Sequence, residues 1–369
     1  MRIAIVAPPF IAVPPPAYGG TELFIAQLAE TLTARGHHVI VYANGQSRVR
    51  CEVRWLFAES AWPPLQMAEA NLRNIHHCAW ALSDANLAEV DIVHTNDPGA
   101  VPMTRFVHAP VVHTLHHVHE PSISELYGAH SRVSYVAISD RQREQESMPH
   151  IQTIHHGIRV ADYPFKDGRR SYLAFLGRIA PVKGVHHAIT VAQRTGIPLK
   201  MAGEIQPAFR DYWECEIRPH VDGRLIEYIG EATPNVKNDL LMDALALLFP
   251  IEWEEPFGLV MVEAMACGAP VLALPRGSVR EVVRDGVSGW ICRNVEEMAN
   301  RARDLPSISP TSCREYVTRR FSVEHMAERY ERAFQNVLKE RGRRTLPPGR
   351  PTRAASRVAQ GALPNNRPR

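Results

Sequence analysis

Short, continuously apolar segments recur along this 369-residue chain, separated by stretches long enough to form a helix. The first half offers Arg2–Ala7, His38–Ala43, Asp91–His94, Pro110–Thr114, Tyr135–Ile138 and Thr153–His155. The second half offers Tyr172–Leu176, Leu199–Ala202, Ile226–Ile229, Ala246–Phe249, Pro270–Leu274 and Trp290–Cys292. Many are apolar at successive positions rather than alternating, which is typical of strands buried on both faces of a parallel sheet. The pattern predicts an α/β chain with two doubly wound sheets.

The stretch between these two sets, His156–Arg170, is polar and turn-rich, and it marks the predicted boundary between two domains. A chain of 369 residues also exceeds the roughly 250–300 residues at which a single core usually stops growing. We therefore predict an N-terminal domain at 1–160 and a C-terminal domain at 161–322. Because open α/β sheets bind ligands beyond the carboxyl ends of their strands, we expect both domains to contribute to one cleft.

The end of the chain divides into a predicted helix and a predicted tail. Apolar residues recur at helical spacing over Val323–Lys339, which indicates a terminal docking helix at 323–340. The residues after Glu340 hold eight Arg and five Pro with no Asp or Glu. Because such a stretch has almost nothing apolar to bury, we expect 341–369 to be a disordered basic tail.

The net charge of +3, from 42 basic and 39 acidic residues, describes neither part of the chain. Without the eight tail arginines, 34 basic residues face 39 acidic ones, so positions 1–340 carry a charge of −5. Proteins that bind nucleic acid usually carry a basic stripe through the fold itself, so we expect no nucleic-acid partner. No uncharged apolar run approaches the roughly 18 residues of a membrane span. Proline at position 8 comes too early for a signal peptide, and we expect a cytoplasmic protein.

Cysteine and histidine usage gives little support for a metal centre. The six cysteines are scattered without a C-x-x-C pair, which argues against a disulfide framework and a thiolate zinc site. Four histidines cluster at His113, His116, His117 and His119. Side chains of an extended segment point alternately to opposite faces, so we expect no metal ligand set there.

Three loops carry the residues that the sequence singles out for function. Gly19 and Gly20 precede a helix, where a backbone free of side chains allows an anion to approach unpaired N–H groups. Arg178 and Lys183 lie on a glycine-bounded loop after a strand and suit a diphosphate, the first as a fork and the second as a point charge. The plainer interpretation of the first loop is a tight turn, and that of the second is two cations that are simply solvated.

The third loop holds two glutamates, Glu255 and Glu263, eight residues apart. Phe257, Gly258 and Leu259 lie between them and are predicted to expose backbone N–H groups at a helix start. Carboxylates accept hydrogen bonds from vicinal hydroxyls, so one glutamate for a ribose and one for a hexose is a sensible division. Glu263 stands among apolar residues, and a carboxylate in such company needs a partner.

In matching order, these elements resemble the retaining family-4 glycosyltransferases with the GT-B fold, in which two Rossmann-like domains face each other across a cleft. The resemblance spans positions 1 to about 340. The elements that carry it are Gly19-Gly20-Thr-Glu22, Asp91-Ile-Val-His94, Thr114-Leu-His116, Ser139 after a strand, His156-Gly-Ile158, Gly177-Arg178 with Lys183-Gly184, and the E-x7-E pair Glu255 and Glu263.

The resemblance implies an acceptor-side first domain, a nucleotide-sugar second domain and a role for each site residue. It assigns Arg178, Lys183 and Gly20 to the donor diphosphate, and Glu263 to the ribose. Glu255 would contact the hexose, with Phe257, Gly258 and Leu259 offering N–H groups to it. His116 matches the family histidine near the transferred sugar and the acceptor. His117 stands where many members have glycine, so the acceptor side is expected to be narrower or more polar.

The implied reaction is metal-independent and needs no cofactor, because Arg178, Lys183 and a helix start supply the countercharge to the leaving diphosphate. Front-face attack would retain the anomeric configuration, with Glu255 orienting the sugar rather than forming a covalent bond. UDP-glucose is the default donor from family frequency. Met67–Glu89 is mixed and acidic with Arg73 as its one strong cation, so we expect a soluble acceptor and no membrane association. The donor base, the acceptor and the oligomeric state stay open.

Two other functions fit the same residues. A GT-B nucleotide-sugar epimerase or hydrolase would share the diphosphate clamp. A non-catalytic nucleotide-sugar-binding protein would keep the fold without the reaction.

Overall fold

The structure, a computed structural model, describes residues 1–17, 19–64, 66–168 and 170–345. Within these ranges the strands are β1 Arg2–Val6, β2 His38–Ala43, β3 Glu52–Trp55, β4 Ile92–Thr95, β5 Val111–Thr114, β6 Ser134–Ala137, β7 Ile151–Thr153, β8 Tyr172–Leu176, β9 Leu199–Ala202, β10 Ile226–Tyr228, β11 Ala244–Phe249, β12 Val271–Ala273 and β13 Gly289–Ile291. The α-helices are α1 Gly20–Ala34, α2 Met67–Leu87, α3 Pro121–Gly128, α4 Asp140–Glu144, α5 Val185–Thr195, α6 Arg210–Tyr212, α7 Pro234–Met242, α8 Leu259–Ala266, α9 Val279–Val282, α10 Val295–Arg303, α11 Pro310–Arg320 and α12 Val323–Thr345.

The strands form two parallel sheets, as the apolar segments predict. The first has the order β3-β2-β1-β4-β5-β6-β7 and the second the order β10-β9-β8-β11-β12-β13. Each sheet has an apolar cluster on both faces, which explains why its strands are continuously apolar. The α/β class with two doubly wound sheets is confirmed. We call the first sheet with its helices the first lobe, and the second sheet with its helices the second lobe.

Most predicted strand bounds agree with the structure to within one or two residues, and the largest departures are at β3 and β7. The edge strand β3 was not predicted, because its sequence Glu-Val-Arg-Trp is charged and its side chains are at most half-buried. The last strand of the first lobe is Ile151–Thr153 rather than Thr153–His155. Ile154 is buried and bonds back to the carbonyl of Ala137, so its apolar character reflects packing just beyond the strand.

Helix α12 leaves the second lobe and packs on the first. Its residues Met326, Tyr330 and Phe334 are buried in the same cluster as α1, and Val337 packs against that cluster. The predicted helix therefore docks, but it extends to Thr345 rather than ending at 340. The prediction that residues 341–345 belong to the tail is wrong, because arginine favours helices and the first proline comes only at 347. The rest of the predicted tail, 346–369, lies outside the described residues.

The predicted boundary at 160/161 falls between the two sheets, which end at Thr153 and begin at Tyr172. A parallel bridge pairs Ile158 with Ser322, so the two chain crossings between the lobes run side by side. The division into domains itself stays a prediction. Within the described ranges, no helix combines the length and the apolar character needed to cross a membrane.

Candidate active site

The cleft between the lobes brings together the residues that the sequence singled out. Its cavity has a volume of about 400 Å³. The predicted residues that line it are Gly20, His116, Arg178, Lys183, Glu255, Phe257, Gly258, Leu259 and Glu263. Several of them follow the carboxyl ends of strands: His116 comes after β5, Arg178 after β8 and Glu255 after β11. This is the position at which open parallel sheets bind ligands.

The first lobe approaches the cleft at the start of α1. Gly19 caps the helix with a φ of 155°, and a Cβ there would lie 2.7 Å from the Cβ of Pro15. A Cβ on Gly20 would lie 3.5 Å from the side chain of Leu259 in the second lobe. The two lobes therefore meet at this point, where the first N–H groups of a 15-residue helix face the cleft.

The loop with Arg178 and Lys183 is packed against the strand ends of the second lobe. Gly184 has a φ of 70°, and a Cβ there would clash with the carbonyl oxygen of Pro250 at 1.9 Å. Arg178 donates a long hydrogen bond of 3.4 Å to Gln206. Its Nε is buried and has no hydrogen-bond partner among the described residues. Because Arg178 also lines the cleft, its guanidinium suits an anionic ligand there.

Lys183 and Glu255, predicted for different parts of the donor, are bonded to each other. The Lys183 ammonium lies 2.5 Å from Glu255 Oε2 and 4.5 Å from the centre of the Trp253 ring. The Trp253 indole also donates to Glu255 Oε2, at 2.8 Å. The sequence did not predict this ion pair, since the two residues are 72 positions apart. In this ion pair, each charge is neutralised by the other.

Glu263 has the partners that its apolar surroundings require. The carboxylate is 5% exposed and accepts hydrogen bonds from Tyr163 at 2.9 Å and Lys237 at 2.5 Å. Burial and the neighbouring Glu263 raise the pKa of Tyr163 well above its usual value, so its hydroxyl stays a donor. Both bonds use Oε1, which leaves Oε2 on the same carboxylate to accept from ligand hydroxyls. The prediction that Glu263 has a partner is confirmed.

The helix after the acidic loop begins slightly later than its sequence indicates. Gly258 caps α8 in the left-handed conformation with a φ of 75°, and Leu259 is the first helical residue. Phe257 is buried and precedes the cap, so it lies outside the helix. The N–H groups at Leu259 and Val260 are therefore the ones that start the helix. The left-handed φ at Gly258 is the reason that this turn favours glycine.

His116 is a neutral, oriented imidazole. Its Nε2 lies 2.9 Å from the Oδ1 of Asn96, and the Asn96 amide donates from Nδ2 to the carbonyl of Val6. Because that amide presents its oxygen, Nε2 of His116 donates and Nδ1 keeps a lone pair. Burial and neighbouring histidines, His156 foremost, hold the pKa of His116 well below its ordinary value. His116 is thus a fixed hydrogen-bond acceptor at Nδ1.

Several residues of the site were not predicted individually. His156 lines the cavity, stacks on His116 with ring centres 5.4 Å apart, and has a pKa lowered to about 3 by burial. Asn96, Tyr163 and Lys237 orient His116 and Glu263 from distant parts of the chain. A polar residue directly after β4 is the one signal that could have indicated Asn96. No sequence signal indicates Tyr163 or Lys237.

The predicted histidine cluster divides among separate partners. His113 bonds Thr95 and Tyr127, while His117 bonds Tyr127 through Nε2 at 2.7 Å. His119 pairs with Glu146. Elsewhere in the described residues, two groups bring potential metal-ligand atoms within 4.8 Å of one another: His186, His187 and Glu252, and Asp140, His155 and Glu281. Neither group is among the residues that line the cleft.

Family models and known proteins match this chain over most of its length. The model described as glycosyltransferase family 4 matches residues 18–197, and the model of glycosyl transferases group 1 matches residues 162–319. A glycogen synthase of Mycobacterium tuberculosis is 28% identical over 363 residues, covering 83% of this chain and 86% of that protein.

Solved structures share the fold. A glycosyltransferase involved in avilamycin A biosynthesis superposes with a TM-score of 0.71 at 24% identity, covering 92% of this chain and 98% of the other. The Anabaena protein HepE, solved in complex with UDP-glucose, also superposes with a TM-score of 0.71, at 18% identity. The match covers 91% of this chain and 100% of the HepE chain. These solved structures show that the chain has the GT-B fold, and the two family models, which jointly span residues 18–319, place it among the family-4, group 1 glycosyltransferases.

Proposed function

We propose that this glycosyltransferase moves glucose from UDP-glucose to a hydroxyl of a soluble acceptor, without a metal ion and with retention of anomeric configuration. One observation carries the proposal: Arg178, Lys183, Glu255 and Glu263 converge with His116 in one cleft at the carboxyl ends of two parallel sheets. The UDP-glucose complex of HepE supports the donor assignment, and the similarity to a glycogen synthase supports glucose as the transferred sugar.

Donor binding would exchange partners within the cleft. A diphosphate oxygen would bind the guanidinium of Arg178 and compete with Glu255 for the ammonium of Lys183. Once Lys183 turns to the diphosphate, Glu255 keeps its bond from the Trp253 indole and is free to accept from hexose hydroxyls. The ion pair between Lys183 and Glu255 would thus be replaced by two ligand contacts, one to each half of the donor. The free oxygen of Glu263 suits the ribose.

The reaction requires a place for negative charge, because the bond from the anomeric carbon to the diphosphate breaks as charge develops on the leaving oxygen. Arg178, Lys183 and the helix starts at Gly20 and Leu259 line the cleft and would offer positive charge or N–H groups to that oxygen. Preorganised groups of this kind often contribute more to the rate than any other catalytic effect. We therefore expect turnover to persist in EDTA.

Retention follows from attack on the face that the diphosphate leaves. The acceptor oxygen forms the new bond to the anomeric carbon on that face, and the departing phosphate oxygen takes the acceptor proton. Nδ1 of His116 is placed to accept a hydrogen bond from a sugar or acceptor hydroxyl. Because the histidine stays neutral, it orients rather than protonates.

The test is incubation of the full-length protein with UDP-glucose, alone and with a panel of α-glucans and soluble polyols, while UDP release and the anomeric proton are followed by NMR. Acceptor-dependent UDP release with an α-linked product, unchanged by EDTA, is the expected result. An isomerised sugar nucleotide without acceptor would instead indicate an epimerase. Tight UDP-glucose binding with no turnover across the panel would favour the non-catalytic alternative.

A further inference from the structure

The start of helix α4 in the first lobe is tied to the second lobe through the carboxylate of Glu281. The N–H of Asp140 donates to Glu281 Oε2 at 2.6 Å, and the N–H of Arg141 donates to Oε1 at 2.8 Å. His155, on the connection between the lobes, adds a contact of 2.8 Å from its Nε2 to Oε2. Glu281 is 18% exposed at its side chain. One carboxylate therefore joins three groups that lie outside its own lobe.

A second contact runs parallel to the first. The guanidinium of Arg141 lies 2.9 Å from the carboxylate of Glu254, which precedes Glu255 in the acidic loop. Because this pair is partly exposed, its own contribution to stability is small. The pair nevertheless shows that Arg141 of α4 contacts both Glu281 and the loop that carries Glu255.

The segment 277–281, which contains Glu281, also forms hydrogen bonds with the acidic loop. The N–H of Ser278 donates to the carbonyl of Glu255 at 3.0 Å, and the Ser278 hydroxyl donates to the carbonyl of Phe257 at 2.7 Å. Ser278 is fully buried. Gly277 is so close that a Cβ there would lie 2.2 Å from the Glu255 carbonyl oxygen. Any displacement of this segment therefore displaces the backbone of Glu255 and Phe257.

We propose that Glu281 is a positioning residue, which fixes the acidic loop against the first lobe so that closure of the cleft and alignment of Glu255 occur together. The chain of contacts runs from the N–H groups of α4 to Glu281, then to Ser278 and finally to Glu255. The catalytic consequence rests on the proposed function, whereas the contact between the lobes does not. A structural role confined to the second lobe would not depend on α4 at all.

The discriminating variants are Glu281→Gln and Asp140→Pro. In Glu281→Gln an NH2 group replaces one of the two carboxylate oxygens, and this group cannot accept from the N–H that it would face. Proline at 140 removes the N–H that donates to Glu281, and it fits the first helical position because Ser139 before it is extended, with φ −149° and ψ 159°. Asp140→Ala is the matched control, since it removes the same carboxylate, which accepts from Thr153, but keeps the N–H.

We expect Glu281→Gln and Asp140→Pro each to lower kcat roughly tenfold to a hundredfold, the cost of a slightly misplaced catalytic group. KM for UDP-glucose should change much less than kcat. The kcat of Asp140→Ala should stay within about twofold of the wild-type value. Combining Glu281→Gln with Asp140→Pro should lower kcat no further than the more damaging single substitution does. A wild-type kcat in Glu281→Gln, or equal kcat for Asp140→Pro and Asp140→Ala, would overturn the proposal.

Small-angle scattering supplies a readout that needs no turnover. With and without UDP, Glu281→Gln and Asp140→Pro should show a larger radius of gyration than the wild type and Asp140→Ala. Identical radii of gyration for all four proteins would refute the idea that Glu281 holds the two lobes together. If the wild type transfers no sugar, the proposed function fails while the scattering comparison still decides this inference.

Discussion

Single residues of the cleft show most clearly what a sequence can and cannot reveal. Arg178, Lys183, Glu255 and Glu263 could be predicted because each follows a strand or lies in a motif with fixed spacing. Their partners could not, because Lys183 meets Glu255 across 72 positions and Glu263 meets Tyr163 across 100. Spacing along the chain predicts which loop a side chain occupies, whereas pairing between loops depends on tertiary packing.

Lys183 is the residue whose loss should affect the reaction most directly. Replacement by alanine removes the charge that faces the diphosphate and leaves Glu255 without its ion-pair partner. We expect kcat/KM for UDP release to fall roughly 10²–10³-fold, which is typical when one preorganised electrostatic group is lost. The measurement is steady-state UDP release at saturating acceptor.

Lys200→Ala is the matched control for this prediction. Lys200 is partly exposed on the strand β9 and lies 3.4 Å from Glu227, outside the cleft. Its loss should leave UDP release within about twofold of the wild type, since exposed ion pairs contribute little. Equal activity in wild type and Lys183→Ala would disprove the assignment of the diphosphate clamp.

At the scale of secondary-structure elements, the sequence predicts strands well where burial is uniform. The predicted bounds of β2, β8 and β9 match the structure, and each is almost wholly buried. Strand β3 escaped prediction because an edge strand needs no apolar face, and Glu52 and Arg54 instead pair with each other. The end of α12 was predicted too early because the last apolar residue of a helix is not its last hydrogen-bonded turn.

Helix α12 is predicted to be necessary for the stability of the first lobe. Phe334 is fully buried in the cluster that α12 shares with α1, so Phe334→Ala should leave a cavity. We expect the free energy of unfolding to fall by about 3–5 kcal/mol, as for other large aromatic truncations in cores. Urea unfolding followed by circular dichroism measures this. Arg332→Ala, an exposed position on the same helix, should change stability by less than about 0.5 kcal/mol, and a similar loss at both positions would contradict the docking.

The extent of α12 also changes where the chain can be shortened. A cut after Glu340 would remove helical residues 341–345, so the informative truncation ends at Thr345. We expect this variant to keep the wild-type melting temperature and UDP release, because every residue that lines the cleft lies before 264. Differential scanning fluorimetry and the UDP assay check both. Loss of activity at unchanged stability would show that the basic tail takes part in substrate binding.

At the scale of the whole molecule, the fold buries many imidazoles in neutral form. Burial lowers the pKa of His94 and His156 to about 3 and that of His77 to about 4, while His113 and His116 lie well below the ordinary value of 6.5. The unfolded chain protonates these groups below pH 6.5, and the folded chain does not. The unfolded state therefore binds more protons, and the free energy of unfolding must fall as the pH drops from about 6.5.

Each such histidine contributes up to about 1.4 kcal/mol per pH unit once its unfolded form is protonated. Glu22 acts in the opposite direction, because burial raises its pKa to about 7 and the folded state holds a proton there that the unfolded state releases above 4.5. We expect urea titrations between pH 7 and 5 to show a net loss of stability on acidification. The slope of the free energy of unfolding against pH measures how many more protons the unfolded state binds. This number should be larger by about one in Glu22→Gln and smaller by about one in His94→Gln. A stability independent of pH, or the same slope in all three proteins, would mean that these groups titrate normally in the folded state and that the core around the cleft is open to water.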